Sequence, residues 1–107
     1  MTLVPRQGAD SGSGSGAVSS RYARGVGSHP EATLQAENLR VWGRIDLLTV
    51  GQVQVDITDY KTGTEDESHF DQLRFYAVLW DQDNVSNSSR TPLGTLTASY
   101  PRREITI

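Results

Sequence analysis

From Ala32 onward the apolar and polar positions fall into a regular order. Leu39, Val41, Gly43, Ile45 and Leu47 alternate with Arg40, Trp42, Arg44, Asp46 and Leu48. A period of two sends successive side chains to opposite faces of a strand, and the preceding run, Ala32 to Glu37, is its predicted hairpin partner. Gly51-Gln52 separates this strand from Val53, Val55 and Ile57, which alternate with Gln54, Asp56 and Thr58. The simplest reading is a three-stranded antiparallel meander whose last strand ends at Asp59-Tyr60-Lys61.

Thr62-Gly63-Thr64 then breaks the alternation, and Glu65-Asp66-Glu67-Ser68 supplies a cap and first-turn acids for a helix running from about His69 to Trp80. Phe70, Leu73, Ala77 and Trp80 fall on one stripe of it, the predicted core contact. Asn84 to Pro92 reads as a polar loop. Leu93 to Tyr100 and Glu104 to Ile107 give two further extended segments, interrupted by Pro101. The predicted order is strand, strand, strand, helix, strand, an α/β chain of α+β character with no internal repeat.

Length and composition limit what this core can be. With 107 residues the chain makes one small domain. Gly8 to Ser20 is nearly all Gly, Ser, Ala and Asp, and Ser11 to Gly16 repeats with the regularity of an introduced linker. We therefore expect a flexible, linker-containing segment over 1–28 and a folded domain over 29–107. The absence of cysteine excludes disulfides, a thiolate zinc site and a thiol nucleophile. No apolar stretch is long enough to cross a bilayer and no signal-like block opens the chain, so a cytoplasmic, membrane-free protein is expected. A net charge of -3 argues against a surface that is basic throughout. A nucleic-acid role would need a local site.

The candidate chemistry centres on the single lysine. All nine other basic residues are arginine, and Lys61 lies two residues after Asp59, on the same strand face, with Val55 and Ile57 preceding them on that face. Asp46 lies on the neighbouring strand. Counted outward from Gly51 it is five residues back against eight forward for Asp59, so a bulge or a splayed strand end is expected to bring the two together. Converging carboxylates repel unless a divalent cation neutralises them, and oxygen-only ligation favours Mg2+ or Mn2+. Such an ion would polarise a phosphoryl oxygen and acidify a water. An adjacent ammonium would orient that water or stabilise charge on the phosphate, and unlike arginine it can exchange a proton near neutrality.

Three motifs in order, Gly43-Arg44-Ile45-Asp46, Asp59-Tyr60-Lys61-Thr62-Gly63 and Gln72-Leu73-Arg74-Phe75-Tyr76, resemble the RecB-like branch of the PD-(D/E)XK nuclease superfamily. The resemblance spans roughly Glu31 to Ile107. It implies a restriction-endonuclease-like core and a divalent-metal-dependent deoxyribonuclease. In it Asp46 and Asp59 bind the metal, Lys61 is catalytic, and Gln72 and Tyr76, four residues apart on one helix face, line the active site or contact nucleic acid. It further implies DNA as partner, as single strands or ends, and a parent attached to a helicase or other DNA-processing machinery. The family usually begins with a helix carrying a further ligand, often a histidine. Here the Gly-Ser run and Ala17 to Arg24 stand in that place, so the helix is expected to be truncated or deleted, and His29, before Pro30, reads as an extended or turn residue.

Each residue also has a plainer reading. Asp46 alone is a solvent-facing strand-end acid, and Asp59 with Lys61 a surface ion pair of little consequence. Tyr76 is equally a core-edge aromatic and Gln72 a solvated helix residue. His69 reads as a cap or exposed residue, Trp42 and Trp80 as packing residues, Glu65 to Glu67 as helix-dipole acids, and Arg102 and Arg103 as an ordinary turn pair. The function of a different class is a non-catalytic nucleic-acid-binding or interaction module on the same fold; a minimised folding scaffold is a third.

Overall fold

The computed structural model describes residues 22–107, so the Gly-Ser run lies outside the described residues. Five strands form one sheet in the order β1-β2-β3-β4-β5: β1 (Gly27–Ala36), β2 (Val41–Val50), β3 (Val55–Tyr60), β4 (Leu93–Ser99) and β5 (Glu104–Thr106). A single α-helix, α1 (Glu67–Gln82), connects β3 to β4. The first three strands are antiparallel neighbours as the alternation predicts, and β4 and β5 pair antiparallel. β3 and β4 run parallel, because a chain that leaves a strand through a helix returns to the same end of the sheet. This is a mixed α+β fold, consistent with the restriction-endonuclease-like core.

Three local details differ from the periodic reading. Leu39 closes a 3-10 turn, Glu37–Leu39, followed by Arg40 in the left-handed region at φ 58, so β2 starts at Val41. Val53 is 77% exposed in the turn, not in a strand. The turn is Gly51–Gln54, closed by Gly51 N–H donating to Gln54 O at 2.8 Å. Within β2 the buried positions change phase: Ile45 is core, and so is Leu48 rather than Leu47. The change coincides with a break in the β1–β2 ladder between Pro30↔Leu47 and Ala32↔Ile45, where Glu31 adopts φ 51 opposite Asp46. An acidic residue at positive φ interrupts the pleat, and the strand re-faces there without losing register.

The core lies between the sheet and α1. Leu34, Ile45, Leu48, Ile57, Leu73 and Leu79 are completely buried and Trp80 is 1% exposed; full burial of each such aliphatic side chain is worth about 1.5–3 kcal/mol. Leu73 and Trp80 of the expected helical stripe are buried, Phe70 and Ala77 pack at its margin, and Tyr76 and Leu79 join it. Asp66 caps α1, accepting from Ser68 N–H at 2.9 Å, and this bond lowers its pKa. The acidic run thus starts the helix one residue after Asp66, as its composition suggests.

The 84–92 loop is polar but ordered from within. Asn87 donates to Trp80 O and Thr91 O and accepts from Thr91 N–H, while Trp80 Nε1 donates to Thr91 O at 2.8 Å. The helix C-terminus is thereby tied to the start of β4.

Candidate active site

The β2–β3 register decides how the two aspartates meet. Rungs run from Val50↔Val55 to Leu47↔Thr58. One step further along the same register sets Asp46 opposite Asp59, so no bulge is needed between β2 and β3. The count from Gly51 misplaced the centre of the turn, which lies between Gln52 and Val53. At this point the ladder ends, and a side-chain bond follows it: Tyr60 N–H donates to Asp46 Oδ2 at 2.8 Å. The Asp46 carboxylate is thereby held at the β3 strand end.

Asp59 continues the buried phase of Val55 and Ile57 and is itself only 4% exposed. Its carboxyl pKa is raised, first by burial and further by the adjacent Asp46 carboxylate, against the lowering effect of Lys61. Lys61 Nζ lies 2.8 Å from Asp59 Oδ2 and donates to Gln72 Oε1 at 2.5 Å. Its backbone is fixed by Lys61 N–H donating to Ser99 O at 2.8 Å. One ammonium therefore does not offset the cost of two converging acids, one of them dehydrated. Burial and repulsion win.

Helix α1 brings Gln72 and Tyr76 to the same place. Both line a groove of about 740 Å³ together with Thr33, Trp42, Gly43, Arg44, Asp46 and Phe75. The Tyr76 hydroxyl pKa is pushed up to about 12 by burial and then by Asp59 and Asp46, so it stays a neutral phenol able to donate. Gly43 sets the depth of the groove. A Cβ there would come 2.9 Å from Leu79 Cδ1 and 3.4 Å from Tyr76 Cε1, so any larger residue would have to displace the Leu79 side chain for α1 to lie this close to β2.

The sequence-predicted residues Asp46, Asp59, Lys61, Gln72 and Tyr76 thus come together where the β2–β3 pairing ends, beneath α1. His69, one turn before Gln72 on α1, is partly buried and has its Nδ1 2.9 Å from the Tyr100 hydroxyl. Arg103 pairs with Glu65 at 3.0 Å, both exposed, a contact of small energetic weight. Trp80 is a packing residue. Trp42 differs: it is partly exposed along the groove, and its Nε1 has no hydrogen-bond partner. Sequence reasoning missed Thr33, Arg44 and Phe75 as groove residues; Arg44 and Phe75 stood inside the quoted motifs, which was the available signal.

The donor set fits a divalent cation. Asp59 is a buried acid whose pKa is raised by burial and by the neighbouring Asp46 carboxylate, so added positive charge there would favour its ionised form. Among the described residues no group of three or more His, Cys, Asp or Glu side chains is assembled for a metal, and a two-carboxylate cradle completed by water and substrate phosphate suits a small hard cation.

Comparison with known families agrees with this geometry. A family model described as the PD-(D/E)XK nuclease superfamily matches residues 13–104. The chain belongs to that superfamily. Its members are nucleases that generally use divalent metals, which implies DNA as substrate and enzyme activity at that coarse level. No curated protein matches the chain. No helix among the described residues is long and apolar enough to cross a membrane.

Proposed function

We propose that this PD-(D/E)XK nuclease is a Mg2+- or Mn2+-dependent deoxyribonuclease domain of the RecB-like branch, carried by residues 29–107 and acting on DNA ends or single strands in the cytoplasm. The observation that carries the reading is the contact of Lys61 Nζ with the buried Asp59 carboxylate at 2.8 Å, beside Asp46 across the strand pair. The ordered Gln72 and Tyr76 motif on α1 supports the branch, and a larger DNA-processing assembly containing a helicase fits the same resemblance.

In this reading Asp46 and Asp59 hold the cation, which when bound supplies neutralising charge and Lewis acidity toward phosphate and water. Lys61 Nζ, oriented by Gln72 Oε1, positions the attacking water or donates to a non-bridging phosphate oxygen as negative charge builds there. The water oxygen forms the new bond to phosphorus as it gives up a proton to solvent, and the ester P–O bond breaks as the leaving oxygen takes up a proton from solvent, leaving one fragment with a phosphate terminus and the other with a hydroxyl. Tyr76, held as a phenol, donates a hydrogen bond and cannot compete as a base near neutrality. Both side chains are in place before any substrate arrives, Tyr76 held by α1 and Lys61 by its backbone bond to Ser99.

A second reading is a non-catalytic DNA-binding module on the same fold. Cleavage of single- and double-stranded DNA with Mn2+ or Mg2+ separates them. The parent chain is expected to cut and Lys61→Ala to lose about 10²–10⁴-fold in rate. Equal cutting by the lysine variant would remove Lys61 from the mechanism. DNA binding with no cutting by the parent, and no calorimetric heat on adding metal, would leave the binding module.

A further inference from the structure

β2 outruns its partner. Val41–Asp46 extend beyond the last β2–β3 rung at Leu47↔Thr58, and the groove lies along this stretch. Trp42 and Arg44 line it from β2 and Phe75 from α1, continuous with Asp46. The two rings are partly exposed, while the other indole of the chain, Trp80, is fully packed and hydrogen-bonded. Packing accounts for Trp80; Trp42 instead leaves part of its ring exposed along the groove next to Asp46, while its Nε1 edge is buried.

We propose that this groove is a nucleobase subsite, in which one unpaired base of the substrate strand stacks on the wall formed by Trp42 and Phe75 while Arg44 meets a flanking phosphate. The proposal rests on the nuclease reading and deepens it by naming residues that select the substrate. In the interior of a duplex both faces of a base are covered by its neighbours, so stacking on protein rings requires a base that is already single-stranded, frayed or extruded. Every base offers such a face, so the subsite selects strandedness and not sequence. The groove, about 740 Å³, is within the usual range for sites that enclose a small organic ligand. Arg44 suits the phosphate role because a guanidinium presents several donors in a planar fork that matches phosphate oxygens.

The test is binding, read without turnover in EDTA. A fluorescein-labelled thymidine oligonucleotide and a blunt duplex of equal length are titrated with the parent chain, Trp42→Ala, Trp42→Phe and Phe75→Ala. Single-strand affinity is expected to fall about 5- to 150-fold in each alanine variant, the range for losing one base-stacking contact, and to be largely kept in Trp42→Phe. Duplex affinity should change little. Intrinsic tryptophan emission of the parent should be quenched by the single strand, and the quench should vanish in Trp42→Phe, where only the packed Trp80 remains. If Trp42→Ala loses its fold by near-ultraviolet circular dichroism, Phe75→Ala and the quench decide. Folded alanine variants with unchanged single-strand affinity, equal losses on duplex, or no quench in the parent would overturn the subsite while leaving the nuclease reading intact. Failure of the parent to bind or cut any DNA would instead remove the nuclease reading itself.

Discussion

Asp59 is the residue on which stability and chemistry pull in opposite directions. Because folding raises its pKa, the folded chain holds the proton more tightly than the unfolded chain does. Its contribution to stability is therefore complete below the ordinary value of 3.8 and is lost as pH rises through the folded value. Asp59→Asn should accordingly melt higher than the parent at neutral pH in EDTA, and the gap should close on acidification toward pH 3.8. Divalent metal should reverse the ranking: at a concentration about 100-fold above Kd it adds about 2.7 kcal/mol to the parent and little to the variant. Calorimetric melting with and without Mn2+ reads both. Gln72→Leu should reduce turnover about 10-fold or more through misorientation of Lys61, with KM nearly constant, measured by initial rates. That Asp59 and Lys61 share a strand face and Gln72 and Tyr76 a helix face was legible because local spacing dictates it; that Asp46 stands directly opposite Asp59 was not, since it depends on where the turn is centred. Trp42, Arg44 and Phe75 were not, since the groove they line depends on where one strand stops pairing, which no local period records.

At the scale of elements, the seating of α1 on β2 governs the groove. Gly43→Ala would place its Cβ 2.9 Å from Leu79 Cδ1; the end of the leucine side chain gives first, and because Leu79 is fully buried part of the strain passes to α1. The expected cost is about 1–3 kcal/mol, read by chemical denaturation, with a larger proportional loss of cleavage because Tyr76 and Gln72 move with α1. The helix itself was legible from Asp66 and the following apolar stripe, since caps and a 3.6-residue period are local signals. The change of phase in β2 was hidden. It depends on Glu31 taking a positive φ one strand away, and counting alternation within β2 cannot register a kink imposed from β1. The turn was misjudged for a related reason: Val53 is apolar and strand-prone, yet it sits in the loop that the Val50↔Val55 pairing closes.

For the whole molecule, a net charge of -3 leaves few cations to grip a polyanion. Arg44 lines the groove and Lys61 bonds its Gln72, with Arg102 and Arg103 beyond the β4 end. The slope of log Kobs against log salt for a single strand is therefore expected to be shallow, about -1 to -3, measurable by anisotropy across a salt series. A steeper slope would require a basic surface elsewhere. The mixed sheet was only partly legible. The antiparallel meander follows from short connections, but the side on which β4 joins β3 is set by how α1 covers the core, a long-range choice. One consequence follows from the mirror-like placing of Asp46 and Asp59 on either side of the Gly51–Gln54 loop. Lengthening or shortening β2 or β3 by one residue between that loop and the acids would act like a frameshift in space, parting the pair although neither acid nor any neighbour of the cation had been touched. The tip of the hairpin is thus the ruler from which the reaction centre is measured.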